Sequence, residues 1–128
     1  MVIISDQMVY EVLGEEGFAR LVAAFYKRVP SDDILGPMYP KEDMAGAEQR
    51  LRDFLVFRFG GPQRYVEQRG HPRLRARHMP FVITPAGRDR WLKLMEEAMV
   101  EAKIPEQIVP VLRRFFVQAA DFMVNRPE

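Results

Sequence analysis

Two histidines, three aromatic side chains with polar handles and a run of arginines are the groups in this sequence whose types and spacing could define a chemistry. His71 and His78 are the only histidines, and cysteine is absent. They stand seven positions apart, roughly 10 Å along an ideal helix, too far to share one small metal. No His-Glu-x-x-His pattern and no acidic calcium-loop pattern is present, so zinc and calcium sites have little support. A single imidazole is nevertheless enough to ligate an iron that a macrocycle already holds, and that is the one metal site this composition permits. From residue type alone His78 is better read as a half-buried histidine with a local hydrogen bond, and His71, between Gly70 and Pro72, as a turn residue.

Tyr26, Tyr39 and Trp91 lie on or beside apolar faces in three different segments. Buried Tyr and Trp need partners for O–H and N–H. Singly, each reads as a core aromatic whose tip meets a backbone carbonyl; together, they could converge on one cavity as donors. Hydrolytic chemistry has less to stand on, because Ser5 and Ser31 fall at helix starts and the acids are spread over polar faces. Between Gln63 and His78 five arginines face a single acid, Glu67, a local balance of +4 in a chain whose net charge is +1. Any anion the protein holds belongs there. The acidic remainder argues against a general attraction to nucleic acid or membrane.

The elements that must position these groups are helical, since apolar residues recur at helical spacing and no segment alternates with period two. A short first helix is expected from Ser5 or Asp6, with Met8, Val9, Val12 and Leu13 on one face and a stop at Gly14. Phe18, Leu21, Val22, Phe25 and Val29 define a second helix, ended by Pro30. Ser31 to Leu35 could add a turn before a compact non-helical corner at Gly36 to Pro40. Asp43 is placed to cap a third helix with Met44, Ala47, Leu51, Phe54 and Leu55 inward, closed by Gly60-Gly61-Pro62. One short helix is expected from Arg73 to His78. Thr84-Pro85 opens a long helix carrying Trp91, Leu92, Met95, Ala98, Met99 and Ala102. A last helix follows Pro110 with Val111, Leu112, Phe115, Ala119, Phe122 and Met123 inward. The chain's 128 residues suit a single domain, 1–128. Its longest stretch without Lys, Arg, Asp or Glu, His78 to Gly87, is ten residues, against about 20 for a membrane span. Met1 to Val12 lacks the basic start of a secretory signal, and with no cysteine a cytoplasmic location is the default.

A set of blocks in fixed order then carries a resemblance. Phe25-Tyr26, Met38-Tyr39-Pro40, Ala45-Gly46-Ala47-Glu48 with Arg50-Leu51, Gly60-Gly61-Pro62, Arg69-Gly70-His71-Pro72-Arg73-Leu74-Arg75, Arg77-His78-Met79-Pro80-Phe81 and Arg88-Asp89-Arg90-Trp91-Leu92 together closely resemble the group II truncated haemoglobins. The resemblance spans nearly the whole chain and reverses the reading of His78. It implies an all-α, two-over-two helical sandwich around haem b (iron protoporphyrin IX), with His78 as the proximal iron ligand. It implies a distal pocket in which Tyr26, Tyr39 and Trp91 face bound gas and Ala47 stands where many globins place a histidine. Leu51, Phe54, Phe81 and Met95 are expected as apolar haem contacts, and Arg77 and Arg50 as partners for the propionates. Leu13 departs from the family, which often has a glycine pair there.

The function implied is binding of dioxygen, carbon monoxide and nitric oxide, with slow release because donors in a dry pocket favour negative charge building on the outer atom of the gas. Oxygen transport or storage is one role for such a protein. An enzyme using the same haem for nitric oxide dioxygenation or peroxide turnover, with an external reductase, is a second reading, and a homodimer is compatible with either. A haem-free helical module that binds anions or nucleic acid is a third, disfavoured by the charge balance.

Overall fold

The computed structural model describes residues 4–127; Met1–Ile3, on which the leader expectation partly rests, lie outside them. Every regular element among the described residues is helical. The first long helix, α1, runs Val9–Arg28. Phe18, Leu21, Val22, Phe25 and Val29 are all at 0% exposure, so the predicted stripe is the face that α1 buries. Two helices parted at Gly14 were expected. The break is there: Gly14 lies at φ 72° and ψ 171°, outside the helical region, so α1 is two helices joined across a kink, and glycine enters that conformation without a Cβ clash. Before the bend only Val9 is fully buried, while Met8 and Val12 are exposed. Met8 belongs to a 3-10 turn, Asp6–Met8, whose tighter winding does not share the phase of the α-helix.

The corner after Pro30 is more regular than expected: Gly36–Met38 forms a 3-10 turn and Tyr39 leaves it extended, at φ −108° and ψ 147°. After a second such turn, Lys41–Asp43, α2 spans Met44–Arg58. Asp43 occupies the N-cap position without making a cap bond, because its carboxylate pairs with Arg50 at 3.2 Å. The arginine-rich stretch holds two short helices where one was expected, α3 at Arg64–Arg69 and α4 at Leu74–His78. Tyr65 and Val66 are the only apolar side chains of α3, too few for periodicity to register.

The helix α5, Pro85–Glu101, starts as predicted, with the Thr84 hydroxyl accepting from the Gly87 N–H at 3.1 Å. In α6, Val109–Met123, Pro110 sits inside the first turn, where its missing N–H has no partner to lose. Leu112, Phe116 and Ala120 form its buried stripe, whereas Phe122, expected inward, is 62% exposed. Two residues beyond Ala120, it lies about 200° round the helix. Packing of α1 on α2 and on α5, and of α5 on α6, produces the expected two-over-two arrangement. No helix among the described residues is long and apolar enough to cross a membrane.

Candidate functional site

His78 is the last residue of α4, a helix of five residues. Its Nδ1 lies 2.6 Å from the carbonyl oxygen of Leu74, one turn back. A carbonyl can only accept, so Nδ1 carries the proton and Nε2 keeps its lone pair for a metal. His78 opens onto a cavity of about 530 Å³, within the size range of small-molecule and cofactor sites. No group of three or more His, Cys, Asp or Glu side chains gathers as a metal cage among the described residues. One imidazole beside an apolar cavity suits an iron already held by a macrocycle and does not suit a bare ion.

Tyr26 from α1, Tyr39 from the corner and Trp91 from α5 line that same cavity, so three segments distant in sequence do bring their polar aromatics together. The rings of Tyr26 and Tyr39 meet edge to face at 5.6 Å. Tyr26 donates its hydroxyl proton to the carbonyl of Ala47 at 3.2 Å, which is the carbonyl-tip role open to each aromatic taken singly. Burial, and then the neighbouring Tyr39, lift the Tyr26 phenol far above its usual value. The Tyr39 phenol is pushed up to about 12 by burial, offset in part by a hydrogen bond from Trp91. Indole nitrogen can only donate, so toward Tyr39 the neighbouring Trp91 acts as the donor, and the Tyr39 hydroxyl donates to no partner among the described residues.

Ala47, Leu51, Phe54 and Phe81 also line the cavity, and the Phe81 ring centre is 6.4 Å from that of His78. Met95 does not line it. Proposed from sequence as a haem contact, Met95 stands one helical turn beyond Trp91 and is 1% exposed within the protein core. Arg50 and Arg77 reach the cavity wall, each with other commitments. Arg50 pairs with Asp43, and Arg77 donates from Nε to the Pro72 carbonyl at 2.7 Å and from Nη2 to that of Arg69 at 2.8 Å. His71 accepts from the Arg73 N–H at 3.1 Å, as a turn residue does.

Sequence reasoning missed Tyr65, Arg69 and Phe115, all cavity-lining. Tyr65 packs edge to face on Phe54 at 5.4 Å, and Arg69 stands 6.0 Å from the Tyr65 ring centre. An aromatic inside an otherwise basic stretch was the available signal for Tyr65.

The chain matches the family described as bacterial-like globin over residues 8–124. It is 40% identical over 119 residues to the group 2 truncated haemoglobin of Bacillus subtilis, a match covering 93% of this chain and 89% of that protein. Among solved structures it is similar to a thermostable haemoglobin from the actinobacterium Thermobifida fusca, with TM-score 0.89 and 49% identity over 94% of this chain and 98% of that one. It is also similar to a truncated oxygen-avid haemoglobin from Bacillus subtilis, with TM-score 0.87 and 40% identity over 91% and 98% of the two chains. A two-over-two helical fold, an apolar cavity with one histidine on its wall and these matches agree, and the chain belongs to the bacterial-like globins as a group II truncated haemoglobin, a family that implies a haem-binding globin.

Proposed function

We propose that this chain, as one domain, binds haem b through Nε2 of His78 and holds diatomic gases, dioxygen foremost, within reach of Tyr39, Tyr26 and Trp91. The observation that carries the reading is the His78–Leu74 hydrogen bond of 2.6 Å: it fixes the tautomer and aims the free lone pair of Nε2. When bound, haem supplies an iron that coordinates a gas reversibly, with electron density shifting onto the gas. The chain's residues then decide how long the gas stays. Tyr39 offers the uncommitted proton, Trp91 orients the Tyr39 oxygen by donating to it, and Tyr26, anchored on Ala47, walls the pocket. Leu51, Phe54 and Phe81 exclude water, which strengthens each remaining hydrogen bond. Arg50 and Arg69, both on the cavity wall, would pair with the carboxylates of the haem, and Arg77 shapes the loop ahead of His78 by holding the carbonyls of Arg69 and Pro72. A hydrogen bond to a charged acceptor contributes roughly 1.5–3 kcal/mol, about tenfold or more in release rate. That the Bacillus subtilis relative is described as oxygen-avid is in keeping with slow release.

The test is the absorption spectrum of the purified protein, reduced and then exposed to carbon monoxide. A ferrous carbonyl spectrum of b type in the natural protein, weakened or lost in His78→Ala, is expected. An identical spectrum and haem affinity in the variant would remove His78 as the ligand.

A further inference from the structure

Because α4 has only five residues, it cannot stand as an isolated helix, and the aim of His78 depends on ties from elsewhere. The segment after it, residues 79–83, has no regular structure and carries Phe81 and Ile83 to the cavity wall. Those ties come from beyond the end of α6. The Asn125 side chain accepts from the Ile83 N–H through Oδ1 at 2.9 Å and donates through Nδ2 to the Phe81 carbonyl at 2.9 Å and the His78 carbonyl at 3.4 Å. The Ile83 donor fixes which way the amide faces, because only oxygen can accept. The Asn125 and Arg126 N–H groups both return to the Ile83 carbonyl, at 2.9 and 3.2 Å. Arg75, on α4 itself, donates to the carbonyls of Phe122 and Val124, the end of α6 where carbonyls lack helical partners. One carboxamide thus spans the loop that begins at the histidine.

We propose that Asn125 is a positioning residue for the proximal histidine: it holds the 78–83 segment in the register that aims His78 and Phe81 into the cavity. This rests on His78 ligating haem, as proposed above. Asparagine is suited to the place because the loop presents one donor and two acceptors to it, which a carboxylate or an apolar side chain cannot match.

The experiment compares the natural holoprotein with Asn125→Ala and Asn125→Asp. Asp keeps an acceptor for Ile83 while losing both donations. The two measurements are haemin transfer to excess apomyoglobin and the iron–histidine stretching band of the ferrous, ligand-free protein by resonance Raman. Loss of two or three hydrogen bonds to the loop predicts haemin loss about tenfold faster in both variants, with the stretching band shifted or broadened. A tail that merely adds stability would lower the melting temperature and leave that band in place. An unchanged band in both variants overturns the inference while leaving the haem reading intact. A natural protein that takes up no haem overturns the haem reading, and the inference with it.

Discussion

The guanidinium of Arg90 closes on the carboxylate of Asp32 at 2.6 Å, joining the turn that leads to Tyr39 to the helix position next to Trp91. The other Asp32 oxygen accepts from the N–H groups of Ile34 and Leu35 at 3.0 and 2.8 Å. Desolvation raises the Asp32 pKa, but the Leu35 N–H, Arg90 and the Ile34 N–H outweigh it and hold the carboxyl below its usual range. A depressed carboxylate stabilises the folded chain above the unfolded pKa, and that contribution is lost as pH falls through the folded value. Asp32→Ala is therefore expected to lower stability at pH 7 by about 1–2 kcal/mol, the order of a lost capping carboxylate. In urea unfolding followed by circular dichroism, the gap from the natural protein should shrink below about pH 4; a pH-independent gap would rule this role out.

The three polar aromatics are not equivalent. Tyr39→Phe removes the uncommitted donor, so dioxygen release is expected to accelerate by roughly tenfold or more. Tyr26→Phe breaks a bond to the Ala47 carbonyl and should accelerate release less. Trp91→Phe frees the Tyr39 oxygen to reorient, and its effect should be smaller when Tyr39 is already Phe, since the two belong to one network. Stopped-flow release rates give the ranking; a larger effect at Tyr26 than at Tyr39 would contradict it.

Because the Tyr39 phenol is pushed up to about 12, its proton stays in place across the neutral and mildly alkaline range. Release rates should be flat from about pH 6 to 10, the unperturbed tyrosine value. A raised folded pKa contributes stability that is complete below the unfolded value and lost as pH rises through the folded one. Part of the chain's stability should therefore disappear above about pH 10, and Tyr39→Phe should remove that portion of the loss in alkaline unfolding curves. Rates that rise steeply between pH 8 and 10 would contradict the assignment.

Gly60, just past α2, adopts φ 97°, and a Cβ there would collide with the carbonyl oxygen of Gln7. Gly60→Ala is expected to cost about 1–3 kcal/mol, combining backbone strain with that close approach. Because Gly60 does not line the cavity, gas release from the folded protein should stay within about twofold of the natural rate, below the change that 1 kcal/mol would bring. Urea unfolding and release rates measured on one preparation check both parts.

How far the sequence could be read depended on how local the determining physics is. The α1 stripe from Phe18 to Val29 and the Thr84-Pro85 start were legible because periodicity and capping chemistry act within a few residues. The break at Gly14 was legible for the same reason, since a glycine between two apolar stripes leaves the helical region at no steric cost, as it does here at φ 72° and ψ 171°. The short α3 lacks the length to show a period. Phe122 was misplaced because the α6 stripe follows Leu112, Phe116 and Ala120, and Phe115 on the cavity wall had suggested a neighbouring phase. For the site, motif blocks named His78, Tyr26, Tyr39, Trp91 and Ala47, all of which line the cavity. Motifs carry no depth, so Met95 was drawn in with them. Asn125 was not legible, since nothing in its neighbourhood foretells a bond to residues more than 40 positions away.

Trp91 is the chain's sole tryptophan, and it stands on the wall of the cavity between Phe25 and Phe116, at ring distances of 5.3 and 5.5 Å. Excited at wavelengths that indole absorbs and phenol does not, this protein therefore emits from one side chain beside the place where a strongly absorbing guest would lie. Energy passes from indole to such a guest without radiation, so emission dims in proportion to the fraction of chains filled. The same cavity-wall side chain makes the protein an optical gauge of its own occupancy, with no label and no second tryptophan to subtract.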